Sequence, residues 1–368
     1  MTAPRLDIDL DAVDHNTRTL VDRLTPRGIR VTGVSKATLG PPNVAAAMLR
    51  GGATGIGDSR AANLSRLRAG GVLAPLTLIR SPMLSQVDEV VRAADFSLNT
   101  EAVVLDALSA AAVRQRAIHA VLLMVELGDL REGVDADDVV DMAATVARRP
   151  GLRLAGLGTN LACRSGVVPD QGKMDELSGL VEQVESLIGQ RLTVVSGGNS
   201  ANLDWALSTD DVGRIDELRL GESILLGTEP LHRRPIDGLR TDAFTLEAEV
   251  IEVKTKVAQS WGDTAQTAFG HEPNRGRPGF IRQAIAAIGR QDVDSDGITP
   301  PAGMAVLAAS SDHLVIDIGD HEVSVGDEIS FQLNYSALVR AMTSPFVSKN
   351  EQGAPAPVPT VPSGWAGL

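Results

Sequence analysis

The first strongly apolar run of the sequence, VTGVSKATLG, contains one charged residue, Lys36, near its end. A lysine amine that is partly removed from water loses basicity and becomes able to bond covalently to a carbonyl carbon. The alternative is a lysine whose ammonium simply reaches solvent at the end of a strand. Lys36 is therefore a candidate nucleophile, with the structural interpretation still open at this residue.

Two small polar turns follow later apolar runs, SGGNS at residues 196–200 and GES at residues 221–223. Backbone N–H groups in such turns, with glycines that allow close approach, are typical of phosphate sites. The turns contain Asn199 and Ser200 in the first case and Gly221 and Glu222 in the second. Ordinary Gly-Ser turns are the alternative, but their combination with Lys36 favours a phosphate-bearing cofactor.

Arg219 stands inside the apolar segment ELRLGES, where a permanently charged guanidinium needs a partner. A structural ion pair with Asp216, Glu217 or Glu222 is one explanation, and a ligand is the other. Arg131 follows a further apolar run in VELGDLREG, so it is a second candidate cation for the same site.

Asn160 and Cys163 follow the apolar run that ends in GTNLACRSG. A lone cysteine is more often a small apolar filler than a reactive thiol, and both interpretations are kept. The six histidines show no metal-ligand spacing, and the GxSxG motif of serine hydrolases is absent. We therefore expect no metal site.

An alternation of short β-rich runs and amphipathic helical stretches must position these residues. Eight such units fit a (β/α)8 TIM barrel, whose functional residues lie at the C-terminal ends of the strands. An open doubly wound sheet is the rival, but the first strand lacks the GxGxxG turn. The eight predicted runs are Arg30–Ala37, Gly55–Arg60, Pro75–Ser81, Phe96–Asn99, Ala120–Leu127, Arg153–Leu161, Thr193–Ser196 and Glu217–Leu220.

The alternation stops near residue 238, and strand-like runs separated by Gly-Asp and Gly-His turns follow. We therefore predict an α/β barrel over residues 11–237 and a C-terminal mainly-β domain over residues 238–347, joined by an N-terminal strand within residues 1–10. Residues 264–279 are predicted to be a loop. Residues 348–368 are rich in proline and predicted to be an extended tail.

Charge and composition exclude several partners. The net charge of −13 argues against nucleic acid, since phosphate binding requires basic patches. One cysteine permits no intrachain disulfide, which fits the cytoplasm, and the charged N-terminus has no signal-peptide pattern. No run of about 18 apolar residues predicts a membrane span.

Taken together, the motifs resemble the alanine racemase superfamily of fold-type III pyridoxal-phosphate enzymes, over about residues 5–347. The segments that carry the resemblance are VSKA, GDLREG, NLAC, VSGGNS, LRLGESILLG, AFGHEP, AIGRQDVD, ASSDHLVID and the region from Val325-Gly326-Asp327 to Tyr335. They are most similar to the alanine/ornithine racemase branch. The resemblance implies a (β/α)8 barrel, a β-domain, pyridoxal 5'-phosphate and a head-to-tail homodimer.

The resemblance also implies roles. Lys36 bonds the cofactor's aldehyde and then acts as acid and base at the substrate's Cα. Arg219 faces the pyridine nitrogen, which leaves the ring unprotonated and a weaker electron sink. Arg131 lies near the phenolic oxygen or the substrate carboxylate. Phosphate and neighbouring cofactor contacts come from Asn160, Asn199, Ser200, Gly221, Glu222 and Tyr335, the only tyrosine of the chain.

The chain departs from the family pattern at two positions. Arg290 replaces the tyrosine that serves alanine racemases as second acid/base, and Asn160 replaces the histidine that stacks on the cofactor. Inversion at Cα requires proton exchange on both faces, so another group must serve the second face. The candidates are Cys163, Asp292 and His313.

A basic substrate would also need a carboxylate for its distal ammonium. Asp292 is one candidate, and Glu126, Asp129 and Asp294 are others. Segments 290–294 and 310–313 of a partner's β-domain are expected to complete the site, with substrate contacts from Arg290, Asp292, Ser311 and Asp312.

The sequence thus predicts a racemase of a small amino acid, with ornithine first and alanine or lysine next. A basic amino-acid decarboxylase would need an acidic residue in place of Arg219. A non-catalytic cofactor carrier of this fold is generally a single barrel, which the predicted β-domain disfavours.

Overall fold

The computed structural model describes residues 2–267, 269–270 and 278–353. The chain forms two compact units, one of residues Leu10–Arg240 and one of residues 2–9 together with 241–353. Strand β1 (Arg5–Asp9) therefore belongs to the same unit as the C-terminal strands. Within the described residues, no helix is long and apolar enough to cross a lipid bilayer.

The Leu10–Arg240 unit is a closed barrel of eight parallel strands in which each strand pairs with the next and β9 pairs with β2. Closure excludes the open doubly wound sheet and confirms the predicted TIM barrel. The strands are β2 (Arg30–Val34), β3 (Gly55–Asp58), β4 (Leu76–Leu78), β5 (Phe96–Asn99), β6 (His119–Val125), β7 (Leu152–Thr159), β8 (Val194–Ser196) and β9 (Glu217–Leu220).

Helices alternate with the strands on the outside of the barrel. Helix α7 begins after Asp170, whose carboxylate accepts the N–H of Lys173 at 3.0 Å, and buries Met174, Leu177 and Val181 along one face. The barrel helices are α1 (Leu10–Leu24), α2 (Pro42–Arg50), α3 (Ala61–Ala69), α4 (Val87–Ala93), α5 (Ala102–Gln115), α6 (Ala136–Ala147), α7 (Gln171–Ile188), α8 (Leu203–Ser208) and α9 (Glu222–Leu226).

The barrel core is apolar and closely packed, with Phe96, Leu98, Leu122 and Val194 among its buried residues. Gly156 on β7 lies directly against β8, because a Cβ built there would be 1.8 Å from the carbonyl oxygen of Val194. Only glycine fits at this position, so this residue sets the spacing of two strands that carry site residues.

The second unit is built on an antiparallel sheet in the order β12-β15-β10-β11-β14-β13, and β1 pairs with β10 and β16. Its elements are β10 (Phe244–Val257), β11 (Phe280–Ala286), β12 (Ile298–Thr299), β13 (Ala305–Ala309), β14 (Leu314–Asp317), β15 (Glu328–Leu333), α10 (Tyr335–Thr343) and β16 (Ser348–Gln352). This unit is the predicted mainly-β domain. The predicted loop 264–279 and the AFGHEP segment lie partly outside the described residues.

The prediction that the extended tail begins at residue 348 is wrong, because Ser348–Gln352 forms β16. This strand runs parallel to β1 and places Lys349 opposite Leu6. The side-chain amide of Asn350 donates to Asp7 at 2.6 Å, which further fastens the strand. Residues 354–368 of the predicted tail lie outside the described residues.

Candidate functional site

Lys36 follows β2 at the start of a short 3-10 turn and is exposed. A buried carboxylate fixes this turn: Ser35 Oγ donates to Asp58 Oδ2 at 2.9 Å, and Asn63 Nδ2 donates to Asp58 Oδ1 at 2.9 Å. The backbone N–H of Arg60 also donates to Asp58, at 3.0 Å. Burial raises the pKa of Asp58 and outweighs the hydrogen bonds that lower it. Asp58 thus positions the residue before Lys36, although the sequence motifs do not single it out.

The turns after β8 and β9 are joined by hydroxyl groups. Ser200 Oγ lies 3.0 Å from Ser223 Oγ and accepts the backbone N–H groups of Gly221 and Ser223, each at 3.3 Å. A Cβ built on Gly221 would be 3.2 Å from Cβ of Val34, so this backbone lies against the strand that leads to Lys36. Hydroxyl and N–H groups therefore cluster against the end of β2, the strand that leads to Lys36, and such groups are typical of anion sites.

Asn199 organises the neighbouring turn. Its Nδ2 donates to Asn160 Oδ1 at 3.1 Å and to the carbonyl oxygen of Leu161 at 2.8 Å, and lies 3.6 Å from Cys163 Sγ. Its Oδ1 accepts the N–H of Ala201 at 2.8 Å. Asn160 Nδ2 is buried and has no hydrogen-bond partner within the described residues. A buried donor of this kind can bond to an acceptor supplied by a water molecule or by a ligand.

Arg219 points into the barrel and is 4% exposed. Its guanidinium donates to Ser196 Oγ and, at 2.8 Å, to the carbonyl oxygen of Thr159. Burial lowers the pKa of Arg219, while the charge of Glu217 acts in the opposite direction. The side chain is therefore held by neutral acceptors at the ends of β7 and β8.

The three carboxylates considered as ion-pair partners of Arg219 are engaged elsewhere. Asp216 lies 3.1 Å from Arg30, Glu222 pairs with Arg233, and Glu217 accepts from Thr32 Oγ1 at 2.5 Å. No ion pair of Arg219 occurs in the part of the chain that the structure describes. A purely structural ion pair therefore does not explain this arginine.

Arg131 lies in the loop after β6 and pairs with the adjacent Glu132. Burial lowers the pKa of Arg131, but the bond with Glu132 and the neighbouring Cys163 raise it more. Glu126 in the same loop accepts the N–H of Leu130 at 3.0 Å. Asp129 is 1% exposed and also accepts backbone N–H groups. Both carboxylates therefore accept N–H groups of loop backbone, and their contact with a substrate ammonium stays a prediction.

The remaining predicted residues belong to the β-domain. Arg290 lies 3.4 Å from Asp296 and 5.3 Å from the ring centre of Phe269. Asp292 accepts from Ser344 Oγ at 2.6 Å. These contacts tie both predicted substrate-binding residues to their own domain.

A second group of β-domain residues lies on short turns. His313 Nδ1 lies 2.7 Å from Asp312, and this bond lowers the pKa of Asp312. Ser311 Oγ donates to the same carboxylate at 3.2 Å. Asp294 accepts from a serine hydroxyl of α10, and Tyr335 is the first residue of that helix. Both predicted candidates for the second proton transfer in this domain are therefore paired with a neighbour.

The barrel residues fit pyridoxal phosphate. A lysine amine, a cluster of hydroxyl and N–H donors, and a buried arginine match its aldehyde, phosphate and pyridine nitrogen. The buried amide donor of Asn160 still needs an acceptor. No cluster of three metal-ligating side chains occurs among the described residues.

Comparison with known proteins matches residues 8–230 to the family model described as alanine racemase, N-terminal domain. The lysine racemase of Thermotoga maritima is 37% identical over 352 residues, which cover 95% of this chain and 98% of that protein. The ornithine racemase of Acetoanaerobium sticklandii is 32% identical over 350 residues, covering 94% and 99%.

The fold is shared with solved structures. The alanine racemase of Streptomyces coelicolor superposes with a TM-score of 0.76 at 21% identity, covering 94% of this chain and 97% of that one. The match to the family model over residues 8–230 and the identity to two relatives along nearly the whole chain show a family relationship, which a shared fold alone would not. The chain belongs to the alanine racemase family.

Proposed function

We propose that this amino-acid racemase uses pyridoxal phosphate and acts first on ornithine, with lysine or alanine next. One observation carries the proposal: Lys36 follows β2, and Gly221, whose N–H group bonds to Ser200 as that of Ser223 does, packs against Val34 at the end of this strand. The names of the two full-length relatives, a lysine racemase and an ornithine racemase, support the substrate class.

The bound cofactor withdraws electrons from the substrate's Cα and so makes its hydrogen removable. Lys36 then removes or returns this proton on one face. Ser200, Gly221 and Ser223 bind the phosphate, with Tyr335 as a further donor. Asn199 and Glu222 border the same turns.

Arg219 faces the pyridine nitrogen in this proposal. A guanidinium stays protonated, so it donates a hydrogen bond without giving up its proton. The electron demand of the ring is thereby limited, which favours proton return over transamination. This arginine also opposes the alternative of a decarboxylase.

Cys163 is our proposed acid/base for the second face. It lies in the barrel loop that follows Asn160 and is exposed, whereas Asp292 and His313 are bound to Ser344 and Asp312. A Cys163→Ser variant should lose inversion while it keeps proton exchange on the Lys36 face.

The substrate's distal ammonium would then contact an acidic residue of a second copy of the chain. We propose a head-to-tail homodimer in which residues 290–294 and 310–313 of the partner complete the site, and a cytoplasmic location. Asp292, Asp294 and Asp312 are the acids of these segments, with Arg290 and Ser311 as neighbouring contacts.

The test is an exchange and chirality assay on holoenzyme in heavy water. L-ornithine, L-lysine, L-alanine and L-serine are offered, with Lys36→Ala as the control. Exchange of the α-proton together with appearance of the D-form of ornithine is the expected result. Exchange without inversion would remove Cys163 as second acid/base. Absence of exchange with every substrate would refute the proposed cofactor chemistry.

A further inference from the structure

Asp129 is a buried carboxylate whose two oxygens bind the backbone of another loop. Its Oδ2 accepts the N–H groups of Cys163 at 3.2 Å and Arg164 at 2.9 Å, and its Oδ1 accepts that of Ser165 at 3.0 Å. Three consecutive N–H groups therefore point at one carboxylate. This geometry is that of an anion-binding turn whose anion is supplied by the chain itself.

Two further bonds connect the same loops. Ser165 Oγ donates to the carbonyl oxygen of Asp129 at 2.7 Å, and the guanidinium of Arg164 donates to the carbonyl oxygen of Leu130. The loops follow β6 and β7, which are adjacent parallel strands, so both emerge at the same end of the barrel. We call this set of contacts the Asp129 clamp.

Each clamped loop contains a non-glycine residue with left-handed backbone, Leu130 with φ of 57° and Ala162 with φ of 58°. Residues with side chains rarely adopt this conformation, so the surroundings must hold it in place. The clamp binds the residues next to both positions. It therefore keeps two loops in a conformation that neither sequence favours alone.

The charge of the clamp is maintained by the hydrogen bonds themselves. Burial raises the pKa of Asp129, but the backbone N–H groups of Arg164, Ser165 and Cys163 lower it by more, so the net pKa lies below its ordinary value. The carboxylate is ionised at neutral pH. Charge-assisted bonds of this kind are about twice as strong as neutral ones.

We infer that Asp129 is a positioning residue that fixes Arg131 and Cys163 at the site and does not bind the substrate's ammonium. Arg131 lies two residues after Asp129, and Cys163 is itself bound by it. The inference depends on the proposed function in one respect only, namely the roles of Arg131 and Cys163 in the reaction.

The test compares Asp129→Asn with Glu229→Gln. Glu229 is the matched control, because it is 6% exposed and accepts the backbone N–H groups of Leu231, His232 and Arg234, but holds a different loop. In the cofactor-free chain, hydrogen exchange is measured at the amides of residues 163–165. Loss of the charge-assisted bonds should speed exchange about tenfold in Asp129→Asn and leave it within about twofold in Glu229→Gln.

A second readout uses Cys163, the only cysteine of the chain. Its reaction with an anionic disulfide reagent should be accelerated by the nearby guanidinium of Arg131, and should slow as ionic strength rises. This salt dependence is expected to disappear in Asp129→Asn and to persist in Glu229→Gln. If Asp129→Asn fails to fold, Ser165→Ala removes one link of the clamp and should shift both readouts in the same direction by a smaller factor.

Unchanged exchange and unchanged thiol reactivity in Asp129→Asn would overturn the inference, as would equal changes in both variants. In the holoenzyme, turnover of ornithine and alanine should fall by the same factor. A selective loss with ornithine would instead assign Asp129 to the substrate ammonium. Should the wild-type chain racemise no amino acid, the proposed function fails, while exchange and thiol reactivity still decide the role of Asp129.

Discussion

His119, the first residue of β6, makes the stability of the barrel depend on pH in a defined way. It is 1% exposed, and its Nε2 lies 2.7 Å from Ser97 Oγ. Asn99 Nδ2 donates to the same hydroxyl at 2.9 Å, which leaves the hydroxyl proton for the imidazole nitrogen. Burial lowers the pKa of His119 from 6.5 to about 4. The folded barrel therefore requires a neutral ring.

The sign and size of the effect of His119 on the free energy of unfolding follow from proton linkage. Between the folded pKa of about 4 and the unfolded value of 6.5, the unfolded chain binds more protons, so acid favours unfolding. The total loss of unfolding free energy caused by His119 is about 3 kcal/mol, and it is complete below the folded pKa. Between about pH 7.5 and about pH 5, the expected loss from this group is about 2 kcal/mol. Above the unfolded pKa, His119 causes no loss of stability.

The assay is chemical denaturation of the cofactor-free chain at these two pH values, for wild type and His119→Gln. Glutamine has no titrating ring and can still bond to Ser97. The variant is less stable at the higher pH because packing is lost, but its own loss between the two pH values should be smaller by about 2 kcal/mol. Equal losses in both proteins would refute the assignment of a buried neutral ring.

Two further substitutions test the cofactor site and the barrel. Ser200→Ala should weaken binding of pyridoxal phosphate by about tenfold in equilibrium dialysis, since a hydroxyl donor to an anion is lost. Ser208 is the control, because its hydroxyl donates to a carbonyl oxygen of α8, and Ser208→Ala should leave this binding unchanged. Gly156→Ala should lower stability by about 3 kcal/mol or more in calorimetry, since its Cβ would be 1.8 Å from the carbonyl oxygen of Val194. Gly179→Ala, with open space around its Cβ, should be neutral or stabilising.

Strand positions were predictable because each barrel strand is a short apolar run bounded by turn residues. Phe96–Asn99 and Glu217–Leu220 are observed with the predicted bounds. The run Arg30–Ala37 was predicted too long, since β2 ends at Val34. Ser35 bonds to Asp58 and Lys36 begins a 3-10 turn, so side-chain contacts, which apolar periodicity does not report, end the strand.

The polar strand β16 could not be predicted for a related reason. Its sequence, SKNEQ, has no apolar alternation, and its stability comes from pairing with β1 at the other end of the chain. Long-range pairing of this kind leaves no local signal. The proline-rich residues that follow it dominated the composition and led to the wrong boundary.

The roles of acidic residues near strand ends could not be predicted from the sequence. Lys36, Ser200 and Arg219 were recognisable because their types are costly or unusual in apolar surroundings. Glu126, Asp129 and Asp58 have the same residue types as ligand-binding carboxylates, yet their oxygens bind protein donors. What distinguishes the two uses is whether N–H groups of another loop already fill the lone pairs, and these donors come from residues distant in sequence. Asn160 is the opposite case, since its buried Nδ2 has no protein acceptor among the described residues and can bond to an acceptor that the chain does not supply.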